Sequence, residues 1–382
     1  MNKLLPLLHS RKIHFIVLGV LFVVLNMLVF QKFGIKVVSD SYRYLEWSEN
    51  PFSELSPTNW KFYSVSYVGF LALIRSLGLG LEGVVFVQML ISGIACFYLY
   101  QLTFRVSQSS LAAFLASFLY LSFGEIVQWN TYILTESLFT SGIIFLMFGL
   151  HNAQKTKQWL ILLLLGIMVC LVRPMGITVF LSAMVFLFFR FQIYQRLSWF
   201  WKITGAVLLI FIGCVMFYFL LEGNPSVNFY YSRGQIVWGT DSPELRNNPW
   251  LILGNENVVY PSRDLPAYQM FLTFVKDNFT FFSELFLKKA VLFMVHVKPY
   301  YSTWHNVYIV LFLGLTYFAG FKGLFMLKRT HPIAWFALSL FILNTLMVGL
   351  SVEAWEGRFL IPVLSPIFVF SATVCGRAKF LN

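Results

Sequence analysis

Residues 158–190 read QWLILLLLGIMVCLVRPMGITVFLSAMVFLFFR, two apolar runs (158–172 and 176–190) hinged at Arg173-Pro174. The runs are continuous and lack the alternation that a β-barrel strand requires. Each is slightly short of the roughly twenty residues that cross a bilayer as a helix. Their centres hold no ionisable side chain, as expected where a charge costs roughly 3 kcal/mol or more. The stretch predicts two membrane-crossing helices with Arg173 and Pro174 at a mouth.

The pattern repeats outward from there. Candidate spans are 13–30, 83–104, 110–125, 135–151, 158–172, 176–190, 202–221, 305–326, 333–351 and 358–375. The 382 residues are 58% hydrophobic and 12% charged, with mean hydropathy +0.73. A soluble domain carries about twice that charge. The composition defines an all-α polytopic membrane protein, read as a single membrane domain over 1–382 without repeats or low-complexity segments. A net charge of +12 would suggest nucleic acid in a soluble chain. Here basic residues that cap cytoplasmic helix ends and meet anionic lipid account for it, and no nucleic-acid partner is expected. Cys96, Cys170, Cys214 and Cys375 all lie in apolar runs and form no C-x-x-C pair. They read as small buried hydrophobes, with neither disulfide nor metal expected. Lys3, Arg11 and Lys12 precede the run 13–30, which is too long for a signal peptide and lacks a small-residue cleavage site. An uncleaved first helix is expected.

One further run, 63–74, is short, carries Tyr and Ser, and ends at Arg75. Topology decides it. With the N-terminus inside, a ten-span arrangement that excludes 63–74 places every short basic loop inside. Those loops hold Arg105; Lys155 and Lys157; Arg190, Arg196 and Lys202; Lys328 and Arg329; Arg377 and Lys379. The run 63–74 then lies in the outer interface. Two long outer segments follow, 31–82 and 222–304, the second long enough to carry helices that pack on the outer mouth. Its N-x-T match is Asn278-Phe279-Thr280.

The same arrangement puts Asp40, Glu136, Arg173 and Arg358 on the outer face. Asp40, directly after the first helix, reads either as a general base for an acceptor hydroxyl or as the N-cap of an interfacial helix. Glu136 opens a helix in Thr135-Glu136-Ser137, as a first-turn acid favoured by the dipole or as a grip on sugar hydroxyls. Arg173 and Arg358 sit beside apolar runs on the side that the positive-inside rule does not explain. Guanidinium matches phosphate geometry. Lys298, in His296-Val297-Lys298-Pro299, has the same character, and headgroup snorkelling is the alternative for all three. There is no G-x-x-x-x-G-K-[ST], H-E-x-x-H or G-x-S-x-G string, so a P-loop ATPase, zinc protease or serine hydrolase has no support.

Four strings in order resemble the GT-C glycosyltransferases, polytopic enzymes that use polyprenyl-phosphate sugars. They are Asp40-Ser41-Tyr42-Arg43-Tyr44, Thr135-Glu136-Ser137, Arg173-Pro174 and Arg358-Phe359-Leu360-Ile361-Pro362. The resemblance implies a GT-C-like fold of about ten transmembrane helices, with interfacial helices in two long outer loops. It implies an inverting transfer from a polyprenyl-phosphate-linked sugar donor to a lipid-linked or surface-glycan acceptor at the outer leaflet of a bacterial inner membrane. Asp40 would be the base. Arg173, Arg358 and Lys298 would hold the donor phosphate, and Tyr44, Glu136 and Glu356 would contact sugar or acceptor. No cofactor is implied, and no D-x-D string supports a metal. Asp40 is followed by Ser41, unlike the Asp-Glu pair of protein mannosyltransferases, and no soluble C-terminal domain of the oligosaccharyltransferase kind is expected. An O-antigen polymerase or ligase is a rival reading, as is a lipid or sugar transporter. Transporters place binding groups near the midplane, where this chain offers little beyond Asn26, Gln88 and Asn344.

Overall fold

The computed structural model describes residues 10–196, 198–223, 226–239, 248–254, 257–326 and 331–376. Lys3, Lys328, Arg329, Arg377 and Lys379, used in the topology argument, lie outside them. Among the described residues the chain is all-helical, with isolated β-bridges and no strand. In order the helices are α1 (Arg11–Phe33), α2 (Ser39–Trp47), α3 (Val65–Ser76), α4 (Leu81–Ser107), α5 (Ser110–Ser122) and α6 (Gly124–Gln128). Then come α7 (Glu136–Asn152), α8 (Thr156–Cys170), α9 (Gly176–Arg190), α10 (Ile193–Arg196), α11 (Trp199–Gly223) and α12 (Ser226–Ser232). The last are α13 (Ala267–Asp277), α14 (Phe279–Val295), α15 (Thr303–Met326), α16 (Pro332–Leu350) and α17 (Ile361–Gly376).

Five of these, α1, α4, α11, α15 and α16, are long and apolar enough to cross a membrane. A sixth arises if α5 and its continuation to Thr131, bent by 64°, count as one span. Their outward faces are apolar, with Ile210 66% and Phe211 62% exposed on α11. Such helices, apolar all round, belong in lipid. The chain is a membrane-embedded helical protein. Every apolar run read from the sequence coincides with a helix, but α8, α9 and α17 are short, and 110–125 breaks between α5 and α6. Of the cysteines only Cys96 is buried; Cys214 and Cys375 face outward, contrary to expectation.

Small residues let the inner helices approach closely, as in other membrane bundles. Ala95 of α4 and Ala112, Ala113 and Ala116 of α5 are fully buried. A Cβ on Gly323 would stand 2.0 Å from the carbonyl oxygen of Phe370, so α15 meets α17 backbone to side-chain-free backbone.

One end of the bundle is basic and level. The Arg11 guanidinium lies 3.8 Å from the Phe104 ring centre, and Arg105 bonds the Asn152 side chain. The rings of His151 and His331 stack at 5.9 Å, and those of Phe189 and Trp335 at 4.4 Å. These contacts align the ends of α1, α4, α7, α9 and α16. The helices differ in length, however. At 1.5 Å per residue α1 and α4 rise roughly 35–40 Å, whereas α7, α8 and α9 rise only roughly 22–26 Å. The short helices therefore stop short at the opposite end, which leaves a recess. Asn130, in the segment after the α5–α6 bend, confirms the level. Its amide bonds Asn26 at 3.0 Å and its carbonyl accepts from Gln88 at 3.0 Å, each part-way along α1 or α4.

Two segments roof the recess. α3 lies at that end throughout. Its Ser66 N–H bonds the Leu171 carbonyl at 3.0 Å, and its Arg75 pairs with Glu49 at 3.1 Å. α12, α13 and α14 build a second core around Tyr231, Phe271, Phe274 and Phe282. In it the Asn278 amide is consumed by the Val259 backbone, at 2.8 Å in both directions. The N-x-T string is thus a packing device.

Candidate functional site

The recess holds a cavity of about 290 Å³ whose wall includes Asp40, Tyr44, Glu136, Arg173 and Arg358. Local structure explains each position. α2 starts at Ser39, and the cap is made by Ser41, whose hydroxyl accepts the Val38 N–H at 3.0 Å. Asp40 is therefore not the N-cap. Its carboxylate turns to side chains instead. One oxygen accepts from Arg43, a turn later on α2, at 2.7 Å, and the other from Arg358 at 2.9 Å.

Glu136 is the first residue of α7, and its side chain is 1% exposed. Its Oε1 lies 3.2 Å from Arg173 Nη1 and 3.8 Å from Arg358 Nε. Thr135 donates to its other oxygen at 3.4 Å rather than capping the helix. Arg173 occupies the turn between α8 and α9. Gly176 permits that turn, because a Cβ there would meet the Cys170 carbonyl at 2.1 Å. The Arg173 guanidinium sits between the rings of Phe139 and Phe359, at 5.5 and 5.2 Å, a favourable cation–π setting. Burial pulls it below its ordinary value, against the opposing pull of Glu136. Tyr44 is buried with its ring edge-on to Tyr67 at 5.3 Å. Burial, then Asp40 and Glu136, raise its phenol, so it remains a hydrogen-bond donor.

Three guanidinium groups (Arg43, Arg173, Arg358) thus face two carboxylates (Asp40, Glu136). One positive charge is left over, which suits an anion. The rest of the cavity wall is different in character. Phe217, Leu220 and Leu221 of α11 and Met347 of α16 make it apolar, with Trp60, Tyr230 and Trp238 around them. An amphipathic ligand with an anionic centre and an apolar chain fits that division.

Two residues named from the sequence are elsewhere. Lys298 does not reach the cavity. It is fully buried, with Nζ 3.2 Å from Glu353 Oε1, so its charge is spent on a structural pair. Burial pushes Lys298 down and Glu353 up, and each partner opposes the other's shift. Glu356 is half-buried off the cavity wall and within electrostatic reach of Arg358. Burial raises its carboxyl, against Arg358 and with Glu136 and Glu125 adding to the rise.

Sequence reading passed over Arg43, Glu353 and a second polar cluster. Arg43 was legible, because acid and base three apart share a helix face. The cluster was not. Glu125 bonds His296 at 2.7 Å and His305 at 3.3 Å, from 171 and 180 positions away. Among the described residues no group of three or more His, Cys, Asp or Glu side chains is arranged to hold a metal.

No protein-family model, curated protein or solved structure matches the chain.

Proposed function

We propose that this chain is an inverting membrane glycosyltransferase of the GT-C kind. It moves a sugar from a polyprenyl-phosphate donor to a lipid-linked or surface-glycan acceptor at the outer leaflet of a bacterial inner membrane. The observation that carries the reading is convergence. Strings at 40, 136, 173 and 358, scattered over the chain, meet within ion-pair distance on one cavity. The proposed topology has ten spans, α1, α4, α5 with α6, α7, α8, α9, α11, α15, α16 and α17. The N-terminus is inside and the recess outside, so that the basic end faces the cytoplasm.

The chemistry follows from the groups in place. A donor phosphate brings two anionic oxygens to Arg358 and Arg173, a charge-assisted match for their forks. Engaging Arg358 loosens its hold on Asp40 Oδ2. Asp40 then takes the proton of the acceptor hydroxyl as that oxygen attacks the anomeric carbon. The bond from that carbon to the phosphate oxygen breaks, and the guanidinium groups stabilise the departing phosphate. Tyr44 and Glu136 orient the reacting sugars, and the apolar wall receives the lipid chain.

The test is transfer from radiolabelled polyprenyl-phosphate sugars by purified protein, with mass spectrometry of co-purified lipid to name the donor. Release of labelled product only with wild-type protein is expected. Movement of intact labelled lipid across vesicles without sugar transfer would instead favour a transporter.

A further inference from the structure

A chain of contacts runs from the surface to Arg358 through residues that the transfer chemistry does not use. His305, in the first turn of α15, is 38% exposed and lies parallel under Tyr301, with ring centres 4.5 Å apart. Its Nε2 is 3.3 Å from one oxygen of Glu125. The other Glu125 oxygen meets His296 Nε2 at 2.7 Å. His296 ends α14 in a left-handed conformation with φ +60°, and its ring is fully buried. The ring presses on Gly357, where a Cβ would come within 1.5 Å of it; at φ +63° that position already favours glycine. The next residue is Arg358. His296 therefore wedges the backbone that aims the Arg358 guanidinium at Asp40 and Glu136.

We propose that His296 is a positioning residue for Arg358, its buried ring fixing the backbone at Gly357 from which that guanidinium reaches into the cavity. The inference rests on the reading that Arg358 grips a phosphate. Glu125 sets the ring in place: one carboxylate oxygen holds His296 Nε2 at 2.7 Å and the other His305 Nε2 at 3.3 Å, which ties α6, the end of α14 and the first turn of α15 to the turn at Gly357.

The probe is methyl farnesyl phosphate, a phosphodiester, titrated into purified full-length protein in one detergent at one pH. Arg358→Ala should weaken binding. His296→Ala should also weaken it, by roughly fivefold or more, a typical coupling. His296→Gln keeps a donor toward Glu125 and should restore most of the loss. Because His296 acts through Arg358, adding His296→Ala to Arg358→Ala should weaken binding no further, the non-additivity expected of coupled residues. Wild-type affinity in His296→Ala, or a fully additive loss in the double variant, with Arg358→Ala still weak, overturns the positioning role alone. Wild-type binding by Arg358→Ala overturns the phosphate reading itself.

Discussion

Asp40 and Arg358 stand 318 positions apart, and their side chains meet at 2.9 Å on the wall of one cavity. The pair ties the first segment beyond α1 to the entrance of α17. Arg43 holds the other Asp40 oxygen at 2.7 Å, so the carboxylate is gripped on both sides, by its own helix and by the residue at the entrance of α17.

Asp40→Asn preserves shape but removes proton-accepting power. Turnover in the sugar-transfer assay should fall by about 100-fold or more, the usual contribution of a general base. Binding of a polyprenyl-phosphate probe should persist. Near-wild-type turnover would return Asp40 to a structural pairing role.

Arg358→Lys keeps the charge and loses the two-pronged geometry, so donor affinity and turnover should drop; Arg358→Ala should drop them further. Each charge-assisted bond lost is worth roughly 1.5–3 kcal/mol. Equal values for all three forms, measured in one detergent, would identify a headgroup-snorkelling arginine instead.

Glu136→Gln leaves the buried Arg173 between Phe139 and Phe359 without its carboxylate. Removing one partner of a buried pair costs about 3–5 kcal/mol. Thermal unfolding in detergent should show a clear fall in Tm. An unchanged Tm would mean that Arg358 and Asp40 alone hold this corner.

Lys298→Met strands Glu353 in the core, and Glu353→Leu strands Lys298. Each single variant should be strongly destabilised, whereas the double variant should recover most of the loss, because apolar replacement of both partners is often neutral. The same double variant should retain donor affinity. Loss of donor affinity in a well-folded double variant would bring Lys298 back as a ligand.

Topology is open to direct labelling. In a background without native cysteines, Lys157→Cys should resist an impermeant thiol reagent applied to intact cells, and Asp264→Cys should react. Labelling at 157 would invert the proposed orientation and put Arg173 on the cytoplasmic side.

The helices were determined by the sequence alone, because a bilayer leaves the backbone no partner but itself and a long apolar run has no other solution. The runs at 158–172 and 176–190 became α8 and α9 around Arg173 with little displacement. Charges kept at helix mouths likewise exposed Asp40, Glu136, Arg173 and Arg358. What each charge faces was decided only by tertiary structure. Lys298 looks the equal of Arg358 on paper, yet one is locked to Glu353 in the core and the other looks into the cavity. Ser41 rather than Asp40 caps α2, and Glu125 finds its histidines 171 and 180 positions downstream. Ion pairs form over a few ångströms of space, and no periodicity along the chain encodes which helix ends will stop level and which will stop short. The recess exists because α7, α8 and α9 are shorter than α1 and α4 while sharing their basic end, a relation between elements that no single segment contains.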